Sequence, residues 1–508
     1  MLEEERKYEV DKDFTLPDLT SSVPPGGRVV RLPPVTLTAT YLDTADLRLA
    51  RAGVSLRHRK GDPLPWTVKL PADVPGTRHE ISRVGKRRET PTELIRLVTA
   101  YSRSAPLAPA AVVRTVRHAY ELRDGSDHVL AEIADDAVSV LDGERVRSRF
   151  REVEVERKGG DRELLDRVES VLRDAGAVAG DFTPKHVRAL GKAAAGAPDL
   201  VAPTELPGKP SAADVVTNAI RRGVGRVLAH DPLVRLRAPV GDDDTAVHQM
   251  RVGCRRLRSD LRTFRSLLRR DWVGPLRDEL KWLADVLGAA RDAEVLRERL
   301  HVTAAADPLS PLDSDAVERI DAVLVRRHDQ ALASVDEALT SERYTALVEA
   351  LVEAARAPRL TDAAEGPATK VLPPLVAKPW RRLARGGKGA DAAADLDPLA
   401  PDPRWHAVRI NGKKARYAVD AVAPVLGGDA RKLAKSLSRV QELLGEHQDA
   451  AVAAETWLEV AAADPTDHAL AVTAGRLAER ERASIRAVRA AFPAAWRDTT
   501  KGSRTSWL

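Results

Sequence analysis

The chain has 508 residues, of which 43% are hydrophobic and 31% are charged. These proportions indicate a globular protein with two or three domains and exclude a disordered chain. The net charge of +6 is only mildly basic, and the single cysteine, Cys254, excludes an intramolecular disulfide and a cysteine-based zinc cluster. Since neither a signal peptide nor an apolar run of transmembrane length is found, we expect a cytoplasmic protein.

The first third of the chain alternates charged and apolar residues at the spacing of a β-strand. Glu3, Glu5 and Lys7 lie two residues apart, which places their side chains on one face. The alternation recurs, between turn signals, at residues 56–59, 66–70, 78–80, 132–136 and 150–156. Each run alone fits a strand with a solvated outer face. Together they place acids and cations on one face and aliphatic residues on the other, which favours a closed barrel with a charged interior.

A charged interior of this composition suits a phosphate ligand. Paired glutamates supply oxygen ligands for Mg²⁺ or Mn²⁺, while arginine and lysine bind phosphate oxygens. A metal ion and several cations around a polyphosphate would polarise a phosphoryl group and stabilise the charge that develops during attack by water.

This region resembles the CYTH domains, which are also called triphosphate tunnel metalloenzymes. Glu3-x-Glu5-x-Lys7 looks like their E-x-E-x-K signature. The resemblance continues to about residue 195 through 41–44, 56–59, Lys69, 78–80, Arg117, 132–136, 152–156 and 185–188. It implies an eight-stranded antiparallel tunnel and hydrolysis of inorganic triphosphate, thiamine triphosphate or ATP with Mg²⁺ or Mn²⁺.

The same resemblance implies the roles of individual residues. The catalytic residues would be Glu3, Glu5 and Lys7. The metal ligands would be Glu3, Glu5, Glu132, Asp136, Glu152, Glu154 and Glu156. The triphosphate would bind Lys7, Arg57, Arg59, Lys69, Arg78, Arg117 and Lys185. Arg114 is separate, because an offset of three residues from Arg117 puts it on the opposite face of a regular strand.

The remainder of the chain is predicted to be helical. Residues 161–174 form an amphipathic helix that ends at Gly176, and the Ala-, Gly- and Pro-rich segment 196–210 is a linker between a first domain, 1–195, and a second, 211–495. A C-terminal tail occupies 496–508. Helices are expected from Ser211 through Val227, at 278–299, as one or two segments at 315–355, as a short helix near Trp380 within the Pro-rich region 357–403, at 431–457 and up to about 491.

Residues 248–268 predict a helix that carries a row of positive charge opposite an apolar face. The row consists of His248, Arg251, Arg255, Arg258 and Arg262. Such a helix is ordinarily solvated, but here the pattern occurs twice. His406, Arg409, Lys413 and Arg416 repeat it, and a Leu-Gly pair followed by an aspartate lies downstream of both copies, at Asp292 and Asp449. An internal duplication with a shared anion site explains the repeat.

The doubled motif resembles the CHAD domain, whose name stands for conserved histidine α-helical domain. The resemblance implies an all-α domain of two pseudo-symmetric four-helix bundles, with halves at about 211–355 and 375–495, that flank a basic channel for inorganic polyphosphate. The expected binding residues are His248, Arg251, Arg255, Arg256, Arg258, Arg262, His406, Arg409, Lys413, Lys414, Arg416 and Tyr417. The second copy departs from the pattern at Gly412, where a glycine within a helix costs about 1 kcal/mol relative to alanine.

The alternatives to this interpretation are nucleic-acid binding, metal binding by the two histidines and a barrel without catalytic activity. A nucleic-acid binder would need aromatic side chains for stacking, but only Tyr417 lies near either basic face and 4% of the chain is aromatic. His248 and His406 are candidate metal ligands, core residues or phosphate donors, and their place at the head of a cation row favours the last. The expected partners are inorganic polyphosphate and a tripolyphosphate-type substrate, and we expect neither nucleic acid nor a membrane. Binding to polyphosphate would associate the protein with cytoplasmic polyphosphate granules. A protein whose tunnel holds phosphate chains without cleaving them is the alternative to an enzyme.

Overall fold

In the computed structural model, residues 2–72, 76–179, 183–241, 244–387 and 391–508 are described. The chain is an α+β protein that separates into two compact units, one ending at Asp199 and the other beginning at Leu200. The first unit contains a closed antiparallel β-barrel, and the second is helical.

Eight strands close the barrel. Their order around it is β1, β6, β5, β4, β3, β7, β8 and β9, and β9 pairs again with β1. Two further short strands extend it, because β2 pairs with β7 and β10 pairs with β1. This confirms the predicted eight-stranded antiparallel tunnel. The strands are β1 Leu2–Glu9, β2 Arg28–Arg31, β3 Val35–Asp43, β4 Ser55–Lys60, β5 Trp66–Pro71, β6 Thr77–Arg83, β7 Ala108–Arg123, β8 Val129–Asp142, β9 Arg145–Arg157 and β10 Val178–Ala179.

The alternation along the strands decides which residues face the interior. Val153 and Val155 point outward from β9 and pack with Leu164 and Val168 of the helix α4 (Arg162–Asp174). The intervening glutamates therefore point inward. The Asp161 carboxylate caps this helix by accepting a hydrogen bond from the Leu164 N–H at 2.8 Å, so the predicted amphipathic helix is confirmed.

Four short helices complete the first unit: α1 Arg48–Arg51, α2 Thr92–Leu97, α3 Thr99–Ser102 and α5 Lys185–Leu190. The last of them closes the interior on one side. Ala189 packs in one cluster with Tyr41, Val113 and Val138, which have the inward parity of their strands, and His186 stacks on Tyr41 with ring centroids 5.3 Å apart. The part of the barrel interior around Ala189 is therefore apolar.

The second unit is built from long helices. They are α6 Ala212–Leu236, α7 Ala246–Thr263, α8 Arg270–Ala305, α9 Ser314–Thr340, α10 Glu342–Arg356, α11 Ala368–Arg385, α12 Asp402–Leu426, α13 Gly428–Ala462 and α14 His468–Thr499, followed by a short α15 Gly502–Thr505 and accompanied by a two-stranded ribbon of β11 Pro239–Val240 and β12 Asp244–Thr245. Helices α6 to α9 pack consecutively, and α11 to α14 repeat that arrangement. Among the helices that the structure describes, none combines the length and the apolar character that crossing a membrane requires.

Three helix boundaries differ from the sequence prediction. The basic helix α7 ends at Thr263 and continues as a 3₁₀ turn, although Phe264 beyond its end is buried as predicted. Helix α6 runs to Leu236 and includes Pro232, beyond the predicted end at Val227. The helix near Trp380 spans 18 residues in spite of three internal prolines. Its buried residues recur at helical spacing, and tertiary packing of that stripe overrides the loss of backbone donors. They are Leu372, Val376, Trp380 and Leu383.

Candidate functional site

Three neighbouring strands place carboxylates in one row inside the barrel. Glu5 on β1 lies opposite Glu156 on β9, and Glu156 lies opposite Glu132 on β8. Directly opposed residues have Cβ atoms about 5 Å apart, so the row concentrates negative charge. Burial raises the pKa of Glu156, with Lys158 opposing the rise and Glu132 adding to it. Glu121 on β7 continues the row, and the sequence analysis missed it because only the strand register reveals it.

A second group of acids surrounds Lys185, which enters the barrel from α5 and is 9% exposed. Its Nζ lies 2.5 Å from Asp136, 2.9 Å from Glu154 and 3.1 Å from Glu152. Burial alone would lower the pKa of Lys185, but these carboxylates raise it above its usual value. Arg117 adds two hydrogen bonds to Asp136, from Nε at 2.8 Å and from a terminal nitrogen at 2.7 Å. These acids therefore have cationic partners on two sides.

A third group surrounds Lys69 on β5. Its Nζ lies 2.5 Å from Glu3, 2.8 Å from Glu80 and 4.0 Å from Glu5. Burial raises the pKa of Glu3 to about 7, with Lys69 acting against the rise and the neighbouring carboxylates adding to it. Glu80 is a further residue that the sequence analysis did not assign, although its alternation with Arg78 on β6 was a signal for it.

The arginines of the barrel differ in what they already bind. The Nε atom of Arg57 on β4 is buried and has no hydrogen-bond partner in the part of the chain that the structure describes. Arg59 donates from Nε to Asp62 at 2.8 Å, and Arg78 donates to the Gly53 carbonyl at 3.4 Å. Arg57 therefore retains a donor for an anion.

The carboxylates are chemically suited to a divalent cation, because Mg²⁺ prefers oxygen ligands. Over residues 2–72, 76–179, 183–241, 244–387 and 391–508, however, no three acidic, histidine or cysteine side chains converge as ligands of one ion. The ion pairs explain this, since lysines lie between the acids. A metal fits best at the row formed by Glu5, Glu156 and Glu132, with Glu3 beside it. Burial raises the pKa of Glu3 and of Glu156, so ionising them costs free energy, and a bound cation would lower that cost. Asp136, Glu152 and Glu154, also predicted as ligands, instead contact Lys185.

In the second unit, the two basic helices α7 and α12 lie against each other and line one pocket of about 430 Å³. The predicted residues that line it are Arg255, Arg258, Arg262, Arg409, Lys413, Lys414 and Tyr417. The structure adds Ser259, Ile410 and Arg277, the last from α8. These residues form the basic pocket, which is thus built by both copies of the repeat.

The other predicted residues lie outside the lining of the basic pocket. Arg251 contacts Asp292 at 3.3 Å, and the equivalent Arg409 contacts Asp449 at 3.7 Å, which explains why an aspartate follows each Leu-Gly pair. His406 Nδ1 contacts the side-chain oxygen of Gln448.

His248, Arg256 and Arg416 complete the predicted set. Burial lowers the pKa of His248, and its Nδ1 has no hydrogen-bond partner among the described residues. Arg416 lies 3.6 Å from Asp420. Arg256 lies near the buried Asp260. Burial raises the pKa of Asp260 to about 7, and Arg256 opposes this rise. Arg256 and Arg416 thus have acids beside them.

Lys413 is the most perturbed cation of the basic pocket. Burial, together with Arg255, Arg409 and Arg251, lowers its pKa to about 6, and Asp449 opposes the shift. Like charges raise the free energy of the protonated lysine, and an anion in the pocket would remove that cost. This crowding of cations is the physical signature of an anion-binding surface.

Gly412 does not interrupt α12, although a glycine within a helix is costly. A Cβ at this position would lie 2.8 Å from Gln441 Nε2, so the glycine makes room for a side chain of α13. Gly288 has a similar role, since a Cβ there would lie 3.3 Å from Arg251 Nε.

Comparison with known proteins agrees with this geometry. The family model of the CYTH domain matches residues 1–181, and that of the CHAD domain matches residues 218–459. The uncharacterized protein Rv2226 of Mycobacterium tuberculosis is 32% identical over 532 residues, an alignment that covers 99% of this chain and 97% of that protein.

Two solved structures are also similar. PptA from Streptomyces chartreusis is 26% identical with a TM-score of 0.47, and the match covers 56% of this chain and 99% of that one. The CHAD domain from the plant Ricinus communis is 24% identical with a TM-score of 0.41, and the match covers 57% of this chain and 95% of that one.

Proposed function

The chain belongs to the proteins that join a CYTH domain to a CHAD domain, and from this premise we propose that it hydrolyses inorganic triphosphate, or a related triphosphate, in its barrel and binds inorganic polyphosphate on its helical unit. CYTH proteins generally act on triphosphates with divalent cations, and CHAD domains suggest polyphosphate binding. The observation that carries the proposal is the inward-facing row of Glu5, Glu156 and Glu132 in the same lumen as Arg57. A simple anion trap has no use for such a row of acids.

We propose Mg²⁺ or Mn²⁺ as the cofactor, held by Glu3, Glu5, Glu132 and Glu156. When bound, the metal supplies charge stabilisation and polarises a phosphoryl group for attack by water. Burial holds the pKa of Glu3 at about 7, so its carboxylate loses a proton and becomes a competent ligand as the pH rises through neutrality. Activity should therefore increase with pH in that range.

The cations of the barrel would bind and orient the triphosphate. Arg57 offers its unpartnered Nε to a phosphate oxygen. Lys69, now shared among carboxylates, would exchange them for phosphate oxygens, which are equally good acceptors for an ammonium group. Arg117 and Lys185 are fixed by Asp136, so they would hold the substrate at a defined position with little reorganisation.

The test is a phosphate-release panel on the full chain with Mg²⁺ or Mn²⁺. The substrates are tripolyphosphate, ATP, thiamine triphosphate and long-chain polyphosphate. We expect tripolyphosphate to be cleaved, and Glu5→Gln to abolish cleavage without changing the melting temperature. Glu163→Gln, an exposed change on α4 outside the barrel, is the matched control and should keep full activity. Unchanged turnover in a folded Glu5→Gln protein would refute the assignment.

One observation favours a second function, in which the barrel binds phosphate chains without cleaving them. Lys7, Lys69 and Lys185 each contact carboxylates that a metal would need. In that case calorimetry would detect tripolyphosphate binding, while no phosphate would be released with either metal. Both functions would place the protein in the cytoplasm on polyphosphate deposits, where a fluorescent full-length fusion would reveal it.

A further inference from the structure

The basic pocket extends beyond the doubled motif. Arg277 of α8 lines it together with Arg258 and Arg262, and its Nε is buried with no hydrogen-bond partner among the residues that the structure describes. Arg382 lies on α11, which packs against α12. Burial lowers the pKa of Arg262 and of Lys414, and the nearby Arg382 adds to both shifts. Neither Arg277 nor Arg382 belongs to the two basic rows of the doubled motif.

The two ends of the basic surface differ in how their charge is compensated. Near the start of α7, Arg251 contacts Asp292 at 3.3 Å. Near the end of α7, burial lowers the pKa of Arg277. The neighbouring cations Arg258, Arg262 and Arg265 lower it as well, and Asp278 raises it. Because Asp278 is exposed, its charge is screened by water. The end of α7 therefore carries cations that an anion could neutralise, as the surroundings of Lys413 do.

The length of this surface limits its ligand. From Arg255 to Arg262, the first and last residues of α7 in the pocket lining, the helix rises about 10 Å, and Arg277 and Arg382 neighbour its far end. Three phosphate groups can contact only part of such a stretch, whereas a long linear polymer can follow all of it. Tyr417 is the one aromatic side chain in the described lining, which favours a polymer without bases over single-stranded nucleic acid.

We propose that Arg277 and Arg382 form the distal end of a track for linear inorganic polyphosphate, and that this end makes the site prefer long chains to triphosphate. The inference rests on the proposed polyphosphate binding of the helical unit. It adds two residues from outside the motif and a reason for chain-length selectivity.

The test compares the wild type with Arg277→Glu/Arg382→Glu in the full chain. A matched control, Arg326→Glu/Arg497→Glu, makes the same change in net charge at exposed positions of α9 and α14 outside the described lining. Labelled long-chain polyphosphate is displaced by unlabelled long chains, tripolyphosphate or single-stranded DNA at several salt concentrations. Displacement reports on the long-chain site, so tripolyphosphate bound in the barrel does not confound it.

We expect the track variant to bind long chains about tenfold more weakly, with a salt dependence reduced by about two ions. Tripolyphosphate should displace the label from the control and the wild type equally well, and always less effectively than long chains. Circular dichroism checks that each variant is folded, and Arg255→Glu, in the centre of the pocket, should weaken binding of every chain length.

Three results would overturn the inference, and they are distinguishable. If Arg255→Glu abolishes long-chain binding while the track variant behaves like its control, the track ends at Arg262. If single-stranded DNA displaces the label as well as polyphosphate does, the ligand class is wrong. If the wild type binds no polyphosphate, the proposed function of the helical unit fails as well.

Discussion

Raising the pH above 6 should weaken polyphosphate binding to the helical unit, because Lys413 must regain a proton before it can contribute its charge. Burial, together with the nearby Arg255 and Arg409, lowers the pKa of Lys413 to about 6. Above that pH the free protein therefore holds a neutral amine in the basic pocket. A bound polyanion favours the ammonium form, so binding takes up a proton from solution.

The magnitude follows from linkage. Below pH 6, Lys413 is protonated in both the free and the bound protein, and the affinity does not depend on its titration. Above pH 6, and until the pH reaches the pKa of the complex, the affinity should fall about tenfold per pH unit, because one proton accompanies each binding event. In the complex the bound anion offsets the neighbouring cations, so we take the pKa of Lys413 there as that of an unperturbed lysine, about 10.4. Between pH 6 and 8 the loss approaches about 2.7 kcal/mol.

Isothermal titration calorimetry in buffers of different ionisation enthalpy measures this proton directly, with uptake of about one proton expected at pH 8. Lys413→Arg keeps the charge and should abolish most of the uptake. Lys378→Arg, at an exposed position of α11, is the control and should titrate like the wild type. Burial lowers the pKa of His248, and this histidine remains in both variants. If Lys413→Arg shows the same proton uptake as the wild type, the assignment to Lys413 is wrong.

Two further predictions concern packing and buried charge. Gly412→Ala should gain less stability than the helix propensity of alanine predicts, because its Cβ would lie 2.8 Å from Nε2 of the buried Gln441, whose side chain would have to move. Gly445→Ala, within α13 and with open space around it, should instead stabilise by about 1 kcal/mol, so the opposite order in thermal unfolding would contradict the packing argument. Lys185→Met should destabilise the barrel by about 3–5 kcal/mol in urea unfolding, because Asp136 and its acidic neighbours lose a buried partner. Asp136→Asn in that background should recover part of the loss, and an undiminished midpoint in Lys185→Met would show that the ion pairs contribute no net stability.

The inward-facing residues of the barrel could be predicted from the sequence because a strand has a period of two. Once Val153 and Val155 are assigned to the outer core, Glu154 must point inward. The contacts between strands could not be predicted, because register depends on loop lengths and on closure of the barrel. The pairing of Glu80 with Lys69 is an example, since it depends on the alignment of β5 with β6.

In the helical unit, the repeat identified α7 and α12 but not the residues that neighbouring helices add to them. Arg277 follows no spacing shared with the motif, and it reaches the basic pocket only because α8 packs against α7. Gly412 shows the reverse problem. The sequence indicates its cost to the helix, whereas the reason for the glycine, the side chain of Gln441, lies on another helix.

The two units differ in how their cations are balanced, and this difference bears on their ligands. In the barrel, Lys69 and Lys185 contact carboxylates, so the lumen can accept a cation and a polyanion together. In the basic pocket, Lys413 and Arg277 are surrounded mainly by other cations, so the ligand that relieves their repulsion must bring negative charge alone. A metal-bound triphosphate suits the first environment and a metal-free polyphosphate chain suits the second. The two proposed phosphate ligands would therefore bind at separate sites and would not compete with each other.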